Sequence, residues 1–290
     1  MAMLVALVAF CCGWLLAAQD WSNRLKPILA SLLACCLIPV VIIYNMVFYQ
    51  PGSLGLMLFS FGSALVLYAL FFYFSHDRLR ALCFSYVNLA WLGFPFAIAL
   101  FGPEISAAMV ALYIGGSIFG NIWAVTAVCS TPQPWTAIAV KVLRSPPMIA
   151  LAVAGLARLS GLQHVQDPHL LQWVYFFCKW AMSFAGMCVL GMWLRHTKVA
   201  WDDVLHSSQV AGIKLLCGAV LCGVTYLAFA ALRPFIGVIF LLFCLPPAAN
   251  IVALETHYQG TGRSAAYIAA GTMVSCVIVL LYAVVLHILR

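Results

Sequence analysis

Residues 242–250 read LFCLPPAAN. Pro246 and Pro247 lack a backbone N–H and cannot continue a helical hydrogen-bond ladder. Asn250 adds a polar amide close behind them. The stretch nevertheless lies inside an apolar run, 235–256, and roughly 20 apolar residues are enough to cross a bilayer. A helix broken inside hydrocarbon leaves N–H and C=O groups that water does not reach, each costing several kcal/mol. Such a break is tolerated only where the freed backbone faces a cavity or binds something.

The rest of the chain places this break in lipid. Of 290 residues, 66% are hydrophobic and 7% charged, with a mean hydropathy of +1.09. A soluble domain carries about 25% charged residues. No stretch is polar enough for a separate soluble domain. The twelve cysteines lie in or beside apolar runs and form no Cys-x-x-Cys pair. They read as small reduced hydrophobes, with no metal site or cofactor expected.

Ten apolar segments long enough to span emerge, at about 2–18, 27–48, 53–74, 81–101, 104–128, 139–157, 170–194, 209–232, 235–256 and 264–289. The connections hold turn formers such as Gln50-Pro51-Gly52-Ser53 and Thr131-Pro132-Gln133-Pro134. The first segment has no Lys or Arg before it, whereas Arg24 and Lys26 follow, the reverse of a secretory signal. With the N-terminus outside, Arg24, Lys26, Arg78, Arg80, Lys141, Arg144, Arg195, Lys198, Lys214 and Arg263 fall on the inner side. Arg158, Arg233 and Arg290 fall on the outer side. This is a positive-inside bias with both termini outside. It accounts for most of the net charge of +7, which is therefore no sign of nucleic-acid binding.

Ten helices divide into two sets of five, residues 1–130 and 131–290, and an odd number of crossings makes the second set inverted. The fourth segment of each half carries mid-span proline: Pro95 in the first, Pro246 and Pro247 in the second. Paired interruptions at matching places point to a secondary transporter built as an inverted repeat. A new half-helix N-terminus carries about half a positive charge and free N–H donors, which suit a carboxylate. Asn88 and Asn250 supply amides that both donate and accept. The plain alternative is a pair of proline kinks in ordinary packed helices.

The stretch SYVNLAWLGFPFAIALFG, 85–102, places Gly93 five residues after Asn88, Pro95 seven after and Gly102 fourteen after. It resembles the fourth-helix motif of the auxin efflux carrier family, which includes bacterial malate and malonate permeases. LPPAANIVALETHY, 245–258, is similar to that family's ninth-helix motif. KVLRSPPMIALAVAGL, 141–156, is similar to its sixth-helix start, with Ser145 where an Asn is usual. FAGMCVLGMWL, 184–194, resembles its seventh helix, and Pro39 matches a proline of its second. The resemblance implies an all-α polytopic membrane protein of ten transmembrane helices. Its fold would be that of the sodium–bile acid symporters, a five-plus-five inverted repeat in which broken helices four and nine cross at mid-bilayer. Helices one, two, six and seven would form a scaffold, and helices three to five and eight to ten a moving transport domain. It further implies a small organic-anion substrate, a homodimer and a bacterial inner-membrane location. The substrate-binding set would be Asn88, Gly93, Pro95, Pro246, Pro247 and Asn250.

Other polar residues extend this set. Lys179 lies about 15 Å from the outer end of its span at 1.5 Å per residue, and a cation at that depth is a functional candidate by default. It either draws an anion into the cavity, reaches back toward water or serves a dimer contact. Asn121 follows Gly115, Gly116 and Gly120, glycines that allow close helix contact. It either reaches the crossover or satisfies an interhelical bond. Tyr113, about two turns earlier, is a candidate of the same kind. Glu255 and His257 end the ninth segment on the inner side, where they either relay protons or simply sit at the water interface. No Asp or Glu falls in mid-span, which favours facilitated diffusion or proton coupling over a sodium-coupled symporter. A membrane enzyme is disfavoured because no inward-facing Ser/His set, paired carboxylates or His-rich pattern exists. A non-transporting sensor using the same fold remains the competing reading.

Overall fold

The computed structural model describes residues 2–19, 21–48, 53–128, 134–162, 169–249, 251 and 264–289. Among the described residues the protein is helical throughout, without a strand element. Six helices are long and apolar enough to cross a membrane: Arg24–Val47, Ser53–Ser75, Pro103–Trp123, His169–Arg195, Trp201–Ala228 and Ser264–Ile288. Four shorter apolar helices accompany them: Leu7–Leu16, Leu89–Phe101, Pro146–Leu159 and Ala230–Cys244. This is the architecture of an α-helical membrane protein, since a helix pairs its backbone groups within itself and needs no water.

In chain order the elements are α1 (Ala2–Leu16), α2 (Ser22–Leu32), α3 (Ile38–Val47), α4 (Ser53–Ser75), α5 (Arg78–Ser85), α6 (Phe94–Phe101) and α7 (Ser106–Val128). They continue as α8 (Trp135–Leu143), α9 (Pro146–Leu159), α10 (His169–His196), α11 (Trp201–Ala228), α12 (Ile236–Cys244) and α13 (Ser264–Leu289). A π-helical turn, Leu33–Leu37, joins α2 to α3, and another, Leu89–Gly93, leads into α6. Each precedes a proline, Pro39 and Pro95, near the start of the next helix. Proline removes the N–H that would bond four residues back, and the wider turn takes up the mismatch.

Three groups of helices build the body. α1 lies along α10, α3 along α9, and α2 and α3 also pack on α10. α4, α5 and α7 form a second group, and α11, α12 and α13 a third. α7 and α10 are mostly buried, whereas α4, α11 and α13 expose most of their surface. The exposed surface is apolar, with Phe74, Trp173 and Leu227 among its largest side chains. So large an apolar exterior suits lipid and would be an aggregation hazard in water.

Two of the expected segments differ from the sequence reading. The segment expected at 139–157 is two helices, α8 and α9. Ser145 between them is extended, at ψ 143°, because the residue before a proline avoids the helical region and Pro146 follows. The segment expected at 209–232 begins at Trp201. Asp202 and Asp203, which precede the expected span, form its first turn, and Asp203 Oδ2 accepts from the Ala200 N–H at 3.0 Å. Carboxylates are favourable at a helix N-terminus, so the helix outruns the apolar pattern. Lys214 is therefore thirteen residues into α11, about 20 Å from its start, and 5% exposed. It does not belong among the inner-side surface charges.

Candidate binding site at two paired helix breaks

α5 starts at an Asp77 cap whose Oδ1 accepts from the Arg80 N–H at 3.0 Å. It ends at Tyr86, which is extended (φ −93°, ψ 107°). α12 ends at Leu245, also extended (φ −80°, ψ 148°). The second break follows from its sequence. Leu245 and Pro246 each precede a proline, which disfavours the helical region twice in succession.

The two breaks meet. Val87 lies opposite Pro247 in an antiparallel bridge. The Asn88 N–H donates to the Pro246 carbonyl at 2.9 Å, and the Ala248 N–H donates to the Tyr86 carbonyl at 2.8 Å. In this register the Val87–Pro247 pair is the non-hydrogen-bonded one, so the missing proline N–H is not needed. Backbone groups freed by one broken helix thus satisfy those freed by the other, which water cannot do at this depth. Gly120 makes room for the pairing, because a Cβ there would run into the Tyr86 ring.

Asn88 stands at the centre. Its Oδ1 accepts from the Trp91 N–H at 3.2 Å, capping the turn that opens into α6, and its carbonyl accepts from the Gly93 N–H at 3.0 Å. The residue is 5% exposed, and no described residue accepts from its Nδ2 group. A cavity of about 150 Å³ adjoins it, lined by Asn88, Ala90, Trp91, Tyr113, Ser117 and Ala248 among others. Tyr113 and Ser117 lie one turn apart on buried α7, and the Tyr113 ring meets Phe94 edge-on at 6.2 Å.

The structure gathers most of the sequence candidates here. Gly93 packs against Leu245 of the other break: a Cβ on it would come within 3.1 Å of that side chain. Pro95 is buried at the start of α6. Pro246 and Pro247 form the opposing side of the isolated bridge, and Pro247 rests on α13 beside Gly271. Two candidates lie elsewhere. Asn121 donates to the Ser117 carbonyl at 2.9 Å. It lines a separate open groove of about 740 Å³ with Thr136, Val140, Arg144 and Ser145. Lys179 is 2% exposed on α10. Its ammonium sits 5.1 Å from the Tyr175 ring and 4.9 Å from the Phe176 ring, and it lines none of the cavities described for the paired breaks. Asn250, Glu255 and His257 lie outside the described residues.

Lys214 was missed as a site residue. Its Nζ donates to the Leu245 carbonyl at 2.6 Å, at the very break that decides the fold. Ser275 Oγ on α13 donates to the adjacent Cys244 carbonyl. Two small cavities, about 20 and 30 Å³, adjoin Lys214. Tyr86, Val87, Leu89 and Gly116 border both the first of these and the 150 Å³ cavity, so the paired segment is a wall between them. The signal was a lysine with apolar residues on either side of it. The apolar pattern begins at 209, eight residues after the helix does, and so places Lys214 too near the inner surface.

No protein-family model and no curated protein matches the chain, so the likeness to the auxin efflux carriers rests on the residues quoted above.

Proposed function

We propose that the protein is a secondary transporter of the auxin efflux carrier type. It binds a small organic anion, in the simplest case a carboxylate, at the paired breaks and moves it by alternating access. The observation that carries this reading is the backbone pairing of Tyr86–Asn88 with Pro246–Ala248 beside a partly open, mainly apolar cavity into which Asn88, Tyr113 and Ser117 bring polar groups. A chain that only needed to span lipid has no use for two breaks that repair each other.

The chemistry fits an anion. The helix running Leu89–Phe101 directs its N-terminal end, with about half a positive charge, toward the cavity. Asn88 offers amide donors, and Tyr113 and Ser117 offer hydroxyls. The 150 Å³ volume suits a compact acid rather than a drug-sized ligand, whose pockets run from roughly 300 Å³ upward.

The packing groups fit the two-part mechanism. α1, α2, α3, α9 and α10 correspond to the scaffold of the resembling family, and α4, α5 and α7 with α11–α13 to its moving part; α6 touches both, packing on α1 and α10 as well as on α7 and α12. The ten-span inverted repeat, with halves at 1–130 and 131–290, belongs to the same proposal. So do the homodimer, the inner-membrane location and the outward termini. The positive-inside bias persists once Lys214 is removed from it. Counterflow of labelled mono- and dicarboxylates into proteoliposomes tests the function. A carrier accumulates label transiently against a preloaded acid, whereas a sensor binds without counterflow.

A further inference from the structure

The two broken helices leave two ends of opposite sign. The N-terminal end, at Leu89–Trp91, opens on the 150 Å³ cavity. The C-terminal end of α12, at Cys244 and Leu245, faces the other way, toward Lys214. A helix C-terminus carries about half a negative charge on unpaired carbonyls. Unwound carbonyls of this kind are where ion-coupled carriers hold their cation.

Here that position is filled from within. Lys214 Nζ is 2.6 Å from the Leu245 carbonyl, and the side chain is 5% exposed. An ammonium has three donors. The two adjoining cavities, about 20 and 30 Å³, each exceed the roughly 10–15 Å³ that one water requires. Water can therefore serve the remaining two. No described Asp or Glu borders either cavity. The partner of the charge is the helix end itself, reinforced by Ser275 on the neighbouring carbonyl.

We propose that Lys214 is the built-in cation of the helix break. Its ammonium occupies the place on the α12 C-terminus that an alkali cation would otherwise take, so folding and anion binding need no such ion. Removing the side chain opens a cation site where none was needed. The capping role stands apart from the transport reading, and only its consequence for flux rests on that reading.

The test compares thermal stability of the full-length protein in detergent with sodium, methylammonium or choline chloride at equal ionic strength. Wild type should melt at the same temperature in all three salts. Lys214→Ala should melt about 5 °C lower in choline and recover at least half of that loss in sodium or methylammonium. Lys214→Met, which fills the space without charge, should fall and show no recovery. A wild type stabilised by sodium over choline overturns the proposal. So does a Lys214→Ala loss that no small cation restores. Should Lys214→Ala yield no folded protein, Lys214→Ser, with a short donor and the same open space, carries the comparison. In proteoliposomes, carboxylate counterflow by wild type should be equal in sodium and choline, and that of Lys214→Ala should fall at least tenfold in choline alone. Absence of counterflow by wild type would count against transport, while the stability comparison would still decide the role of Lys214.

Discussion

Replacing Asn88 by Ser and by Ala separates its structural role from its binding role. In the fold Oδ1 caps the helix opening at Leu89 by accepting from the Trp91 N–H at 3.2 Å. Serine is nearly as good a cap as asparagine, whereas alanine loses about 0.5–2 kcal/mol. Both substitutions remove the Nδ2 donors beside the 150 Å³ cavity. A lost hydrogen bond to a charged ligand is worth about 1.5–3 kcal/mol, or roughly 10- to 150-fold in affinity. Asn88→Ser should therefore melt near wild type yet bind the best carboxylate at least about tenfold more weakly. Asn88→Ala should lose both. The assay is a ligand-induced melting shift across a series of acid concentrations, with monodispersity checked on the same sample. If Asn88→Ser binds with wild-type affinity, the Asn88 amide does not contact the anion and the site assignment fails.

Four further outcomes follow from the geometry. Lys179→Met removes an ammonium held over two aromatic rings, so stability should fall by about 1–2 kcal/mol while carboxylate affinity stays unchanged. Weakened affinity would return Lys179 to the binding site. Gly120→Val forces a side chain into the Tyr86 ring and should lower the melting temperature and the binding together, by about 1–3 kcal/mol in stability. An unchanged melting temperature would mean that the ring has room to move. Ser275→Ala leaves the Cys244 carbonyl without its donor and should destabilise by about 1–3 kcal/mol on thermal melting. Accessibility tags at 50–53 should label from outside and tags at 131–134 only after permeabilisation, and the opposite pattern would invert the orientation.

Some of this was legible in the chain and some was not, for physical reasons. Pro246 and Pro247 announce their break because proline acts locally, through its own missing N–H and the restriction on the residue before it. Asn88 is legible in part, since Asn favours a cap before a helix. That its partner would be the Pro246 carbonyl depends on a contact spanning more than half the chain, which no local pattern carries. The start of α11 was misplaced because Asp202 and Asp203 look like loop residues by hydropathy yet are stabilised at a helix N-terminus. That error concealed Lys214. The depth of Lys179 was readable from its span. Its direction was not, because the rings that receive it, Tyr175 and Phe176, lie on its own helix and the choice depends on how α10 packs. Asn121 fails for a similar reason: one helical turn separates it from Ser117, and that turn moves it from the cavity at the paired breaks to a separate, more open groove.

The central claim is that an organic anion sits where the two breaks pair. Photo-crosslinking with a diazirine-bearing carboxylate, followed by peptide mass mapping, tests it most directly. The account predicts adducts within 86–91, 113–117 and 248–249, the segments that line the 150 Å³ cavity, and their loss in excess unlabelled acid. Competable adducts confined to the Asn121–Arg144 groove or to the helix around Lys179, with none at the paired breaks, would contradict it.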